Sequence, residues 1–197
     1  MTTVINPKTH MPVKGKVSGW WLVGILRVAF GWTWLWAFFD KLLGLGYDTC
    51  ASVSEAGDKV IEMGCDAAFI NGGSPTYSVL TLGVEDSVIG NWFSWLAPSA
   101  PDAQNVTDWV FMLALLLIGL PFILGAGMRL SGVGGAVMYL VMYLAIAVPP
   151  ANNPITNVHL LGALTMLVLV LLNAGVYLGV GRWWQRRKIV KRYPILK

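Results

Sequence analysis

The chain has 197 residues, 56% of them hydrophobic and only 12% charged, with a formal net charge of +4. A soluble domain carries about 25% charged residues, so this composition excludes one and points to a single membrane domain over residues 1–197. The basic excess does not indicate nucleic-acid binding, because its residues sit beside apolar spans that already account for it.

Residues 1–18 hold Lys8, Lys14 and Lys16 and no acid, and form a short basic tail. No small-residue cleavage site follows it, so the first apolar stretch is expected to stay as an uncleaved anchor. That stretch, Gly19 to Lys41, reads GWWLVGILRVAFGWTWLWAFFDK. As a helix over about 19–39 it crosses a bilayer core of roughly 30 Å. Arg27 interrupts it, roughly 12 Å from Gly19 at 1.5 Å per residue. A guanidinium stays charged at physiological pH. Near the bilayer centre it costs at least about 2.5 kcal/mol. Arg27, Gly31, Trp34, Phe38 and Lys41 fall on one helical face. Two readings of that face stand. In one, Arg27 snorkels to the interface and Gly31 is a packing notch. In the other, Arg27, Trp34 and Lys41 line a functional cavity.

Residues 42–108 form the long polar loop. Ser52 and Glu55 match a capping box and Gly64 suits a helix C-cap, which predicts a short helix over Val53–Met63. Cys50 and Cys65 flank it, in a compartment where a disulfide persists. An eleven-residue helix is roughly 16 Å long, whereas bridged Cα atoms lie within about 7 Å. A structural disulfide, a pair of buried free thiols and a redox-active pair therefore all stay open. Phe69 to Tyr77, FINGGSPTY, is turn-rich. Val88 to Leu96 is suited to lie in the membrane interface. The loop as a whole is expected to close over the outer end of the bundle as a lid.

The second span covers about 109–126, with a kink expected at Pro121 that Gly119 eases. The turn GAGMR places Arg129 outside the core. The third span, 130–148, carries Gly132, Gly134 and Gly135 for close packing and a one-turn pair, Tyr139 and Tyr143. Met138 and Met142 read as packing residues rather than metal ligands. The fourth span, 158–180, opens on His159 and carries Thr165 and Asn173. Asn173 is placed level with Arg27, and a contact between them is expected. His159 either moves a proton or bonds a quinone carbonyl, or is a helix-start histidine bonded to the Asn-rich loop before it. The tail 181–197, GRWWQRRKIVKRYPILK, reads as an anchor on anionic lipid headgroups.

Four spans put both ends on one side. The Lys and Arg residues of the tails and of the GAGMR turn fall on that side and every Asp and Glu on the other. By the positive-inside rule both termini are cytoplasmic and the long loop is outside. The expected fold is an all-α membrane protein, a four-transmembrane-helix bundle with a long extracytoplasmic loop containing short helices, multi-pass in the cell membrane.

No second histidine is available within the membrane to pair with His159 on a haem. Neither cysteine has a second ligand at zinc or iron–sulfur spacing. GVGGAV lacks the spacing of a phosphate-binding loop. No haem or metal is therefore expected within the chain, and redox work would need a diffusing quinone or a partner subunit holding the cofactor. Trp34, Tyr139, Tyr143 and Asn173 are the candidate quinone contacts, with Arg27, Lys41 and His159 as candidate catalytic groups.

In three stretches the chain resembles the DoxX/DoxD family of small four-helix membrane proteins. They are the first helix with Arg27, Gly31 and Lys41, the run NGGSPTY from Asn71 to Tyr77, and Asn153 and Pro154 with His159 before the last span. Phe38 stands where many relatives have glycine, and the Cys50–Cys65 segment looks like an insertion. The resemblance implies quinone-linked redox work, with the membrane subunit of thiosulfate:quinone oxidoreductase as one branch. It implies as partners membrane lipids, quinone and other subunits of a membrane redox complex. A non-catalytic accessory subunit of such a complex is the alternative.

Overall fold

The computed structural model describes residues 19–197. The basic segment with Lys8, Lys14, Lys16 and His10 lies outside them. Among the described residues, three helices are long and apolar enough to cross a membrane: α1 (Trp20–Leu43), α3 (Val106–Leu124) and α4 (Met128–Ile146). A five-residue helix, α2 (Tyr77–Thr81), lies in the long loop, and α5 (Val158–Leu171) is a shorter apolar helix.

α1 forms because nothing in Trp20–Leu43 breaks a helix. It stops at Gly44, which takes φ 64° and donates its N–H to Asp40 O at 2.8 Å. Glycine takes this left-handed conformation without a Cβ penalty. The buried face carries Gly24, Arg27, Gly31 and Trp34, as the sequence spacing requires, with Phe38 and Lys41 half-buried. α1 packs on α3 through two glycines. A Cβ on Gly31 would lie 2.7 Å from Ile123 N, and one on Gly119 would lie 2.7 Å from Leu35 N. α4 packs on α5 by the same means: the Tyr139 ring fills the space a Gly162 side chain would take, and Met166 that of Gly135. Lipid is as apolar as leucine, so such helices associate through close packing rather than through the hydrophobic effect. α3 joins the two pairs and runs unbroken through Pro121. Phe122, Met166 and Leu169 sit at the centre of the core.

The expected fourth span over 158–180 is corrected in one respect: it is not one continuous helix. α5 has 14 residues, roughly 21 Å at 1.5 Å per residue and short of a 30 Å core. Asn173 takes φ 51°, a 3-10 turn covers Ala174–Val176, and Leu178 takes φ 52°. The chain folds back here because glycines permit it: a Cβ on Gly175 or Gly181 would collide with the carbonyl oxygen of Gly125.

The expected helix over Val53–Met63 is also corrected. Strands β1 (Ala51–Val53) and β2 (Lys59–Ile61) pair antiparallel, Ala51 opposite Ile61. Ser54 Oγ accepts from Asp58 N at 3.1 Å, and Gly57 takes φ 87° at the tip. Val53, Val60 and Ile61 are β-branched and favour a pleated strand. The hairpin removes the conflict of lengths, because it brings the Cα atoms of Cys50 and Cys65 to 5.7 Å, and the disulfide is formed.

The loop does pack over one end of the helices. Ser87 Oγ donates to Leu144 O at 2.8 Å and Val88 N to Val148 O at 2.8 Å, at the C-terminal end of α4. Phe93 and Leu96 join Leu80, Val84 and Ala145 in a second small core, while Trp92 and Trp95 point outward. Of the interfacial face expected over Val88–Leu96, the two tryptophans remain outside and Phe93 and Leu96 turn in.

A disulfide closing a loop of this size contributes about 3 kcal/mol in the chain-entropy account. Replacing both cysteines (Cys50→Ser with Cys65→Ser) should speed tryptic cleavage after Lys59 while α1, α3 and α4 stay protected. An unchanged cleavage rate would mean the hairpin holds without its bridge.

Candidate functional site

Arg27 is fully buried. Its Nη1 donates to Phe122 O and, at 3.1 Å, to Ile123 O. Its Nη2 donates to Tyr177 O at 3.2 Å and Leu178 O at 2.9 Å. Phe122 and Ile123 belong to the last turn of α3, whose carbonyls have no partner within the helix. Tyr177 and Leu178 belong to the folded-back segment after α5. One guanidinium thus ties α1, the end of α3 and that segment together. Nε alone has no partner. Measured along α1, Arg27 is deep, but it is level with the end of α3. The predicted contact with Asn173 is not made: Asn173 Oδ1 accepts from Gln185 Nε2 at 2.8 Å, and Arg27 goes to backbone.

Two buried carboxylates act alike at the opposite end of the bundle. Asp40 Oδ1 accepts from Tyr47 N at 3.1 Å, and its Oδ2 from Asp48 N at 3.0 Å and Thr49 N at 2.9 Å. Asp108 and Asn105 form a reciprocal capping box at the start of α3. Asp108 Oδ1 also accepts from Ser74 Oγ at 2.8 Å and Thr76 Oγ1 at 2.7 Å. Gln104 Nε2 donates to Phe69 O at 2.6 Å and Gly73 O at 3.0 Å. These bonds fix NGGSPTY against α3. The N-x-x-D spacing at Asn105 was a readable signal for this cap, and the sequence reading passed over it.

A groove of about 280 Å³ opens between the end of α1, α2 and facing parts of α3 and α4. Leu80, Phe93, Phe111, Met138 and Met142 give it apolar walls. Thr76 and Thr107 line it too, as do Lys41 and Asp48, which form an ion pair at 2.6 Å. Met138 and Met142 are therefore packing residues that also line a cavity. Their helical spacing with Val141 and Ala145 could have marked a common face. Of the candidate catalytic and quinone-contact residues, only Lys41 reaches this groove.

Trp34, Tyr139 and His159 come together elsewhere. Trp34 and Tyr139 pack edge to face at 4.8 Å, and Tyr139 and His159 at 6.3 Å. The indole N–H of Trp34 lies beside Tyr139 without meeting hydrogen-bond geometry. His159 takes the helix-start role: Asn157 Oδ1 caps α5 by accepting from His159 N and Leu160 N, and Asn157 Nδ2 lies 3.2 Å from His159 Nδ1. Tyr143 donates its hydroxyl to Ile155 O at 2.7 Å and pins the 149–157 loop. The candidate residues thus divide among Arg27 with its carbonyls, an aromatic file of Trp34, Tyr139 and His159, and the groove with Lys41.

No family model, curated protein or solved structure matches this chain. Among the described residues no cluster of His, Cys, Asp or Glu is placed to hold a metal ion. What the geometry offers chemically is an apolar cavity with an ammonium group and a carboxylate along its lining, the Thr76 and Thr107 hydroxyls there donating to Asp108 and to Leu96 O.

Replacing Arg27 by methionine leaves four carbonyls without their donor, and each buried unsatisfied group costs about 1–3 kcal/mol. The Arg27→Met protein should melt well below wild type in detergent, with Arg27→Lys between them. An unshifted melting point would show that those carbonyls find other partners.

Proposed function

We propose that this chain is the membrane subunit of a quinone-linked oxidoreductase, a bundle of four spans in which the short α5 and its folded-back continuation make the fourth. The groove beside Lys41 carries this reading. A quinone has a flat head with two carbonyl acceptors and an apolar chain. The walls of Leu80, Phe93, Phe111, Met138 and Met142 suit the chain and ring. Lys41 Nζ is the donor along the same lining, since the Thr76 and Thr107 hydroxyls already donate to Asp108 and to Leu96 O. Binding sites for such ligands are mostly apolar with a few placed polar groups. The likeness to DoxX/DoxD proteins in the α1 face, NGGSPTY and the run before α5 points the same way.

With thiosulfate as donor, two molecules join through a new S–S bond to give tetrathionate and release two electrons. One quinone takes these with two protons and becomes quinol. The ammonium group of Lys41 would stabilise negative charge developing on a quinone oxygen. In this proposed topology, with both termini cytoplasmic by the positive-inside rule, the groove lies on the extracytoplasmic side.

A second reading, an accessory subunit without chemistry of its own, has its own support. Arg27, Asp40 and Asp108 are all engaged with the backbone. In that reading the redox centre belongs to a partner.

Both readings meet in one experiment on gently solubilised membranes. A short-chain benzoquinone and a naphthoquinone of equal tail length should each be tested for saturable binding to the purified chain. Met142→Trp, which fills the groove, should abolish binding, and Lys41→Leu should weaken it about tenfold, the loss of one charge-assisted hydrogen bond. Quinone reduction by thiosulfate in the isolated chain would exclude the accessory reading. Binding that Met142→Trp leaves intact would remove the groove as the site.

A further inference from the structure

The segment after α5 carries a surface that the proposed quinone chemistry does not use. No Asp or Glu follows Asp108 in the sequence. Two short helices, α6 (Gly181–Gln185) and α7 (Lys188–Arg192), and the two residues between them hold Arg182, Arg186, Arg187, Lys188, Lys191 and Arg192, all exposed. Among the described residues the ion pair found is Lys41–Asp48, far along the chain from these cations. Exposed apolar side chains lie among them: Trp183, Ile189, Tyr193 and Ile195. The Arg187 guanidinium lies 3.9 Å from the centre of the Trp183 ring.

This is a folded surface. Val190 is fully buried beneath it. Trp184 Nε1 donates to Leu196 O at 2.5 Å. Arg129, in the first turn of α4, donates its N–H to Lys197 O at 2.8 Å and Nη1 to Pro194 O at 3.0 Å. Gly181 is wedged against the carbonyls of Gly125 and Gly175, beside the Arg27 node. The module is therefore seated on the end of the helices where α3 and α4 turn.

We propose that residues 181–197 form a prefolded binding surface for anionic phospholipid headgroups, and that lipid bound there stabilises the Arg27 end of the bundle. Cations alone would suit any polyanion. Aromatic and branched apolar side chains exposed among them suit the boundary between headgroups and acyl chains. The position at the ends of apolar helices places the surface at that boundary. Lys and Arg next to an anionic leaflet are each attracted to it, and salt screens the attraction. A ligand that binds only the folded state raises its stability.

The test uses the full-length protein in detergent. Phosphatidylglycerol should raise the melting temperature and stay bound in native mass spectra. Phosphatidylcholine, inorganic phosphate and a single-stranded oligonucleotide at equal phosphate concentration should do neither. Replacing Arg186, Arg187, Lys191 and Arg192 by Gln should weaken phosphatidylglycerol retention at least about tenfold, with the melting point in phosphatidylcholine unchanged. Should that variant fold poorly, raising the salt on wild type should release the lipid in the same way. Equal stabilisation by both lipids, by phosphate or by the oligonucleotide would overturn the proposal, as would salt-insensitive retention.

Discussion

The fan of carbonyls around Arg27 is the interaction on which the rest of the structure depends. Away from water, each backbone N–H and C=O needs a partner within the protein. The last turn of α3 and the bend after α5 both present carbonyls that no helix satisfies. Arg27 supplies both sets with its two terminal nitrogens. The interior charge thereby has partners within the protein: α1 delivers a cation to the negative end of a neighbouring helix. It also explains how an apolar chain can break at Asn173 and fold back rather than continue as a rod.

Asp40 and Asp108 extend the same logic to the other end. Asp40 collects the N–H groups of Tyr47, Asp48 and Thr49 and so fixes the chain as it leaves α1. Asp108 collects Asn105, Ser74 and Thr76 where the chain enters α3. Between these polar ends the helices are held by shape, with Gly31 against Ile123, Gly119 against Leu35 and Gly162 against Tyr139. The buried charges organise entries and exits, and the glycines set how closely the helices approach.

Local signals told the truth about α1, α3 and α4, because hydropathy and spacing act within one helix. The α1 face from Arg27 to Lys41 was legible for that reason. The capping-box pattern at Ser52 misled, since it is equally a turn sequence, and β-branched Val53, Val60 and Ile61 with the closed disulfide favour a hairpin. The end of α5 was hidden because its cause lies at Arg27, 150 residues before Tyr177. The groove was hidden because its walls come from four separate parts of the chain. Lys41 is marked beforehand as a charge closing an apolar helix, and the helical spacing of Met138, Val141, Met142 and Ala145 marks one wall. Asn173 was assigned to Arg27 on depth alone, which ignored that backbone carbonyls compete for a guanidinium.

The division of polar residues limits where chemistry can take place. Arg27 gives the hydrogens of its two terminal nitrogens to four carbonyls, which leaves its Nε–H as the one donor without a partner. Asp108 likewise accepts on both oxygens. Lys41 differs from them. Its partner Asp48 is largely exposed, the side chain showing 81% of its surface. An ion pair with one partner so open to water is held by about 1 kcal/mol or less. Asp48 can swing away and leave the ammonium group facing the groove, whereas no comparable motion frees Arg27 without undoing the end of α3. Of the charges on the inner side of α1, the one at the groove can therefore change partners while the fold persists.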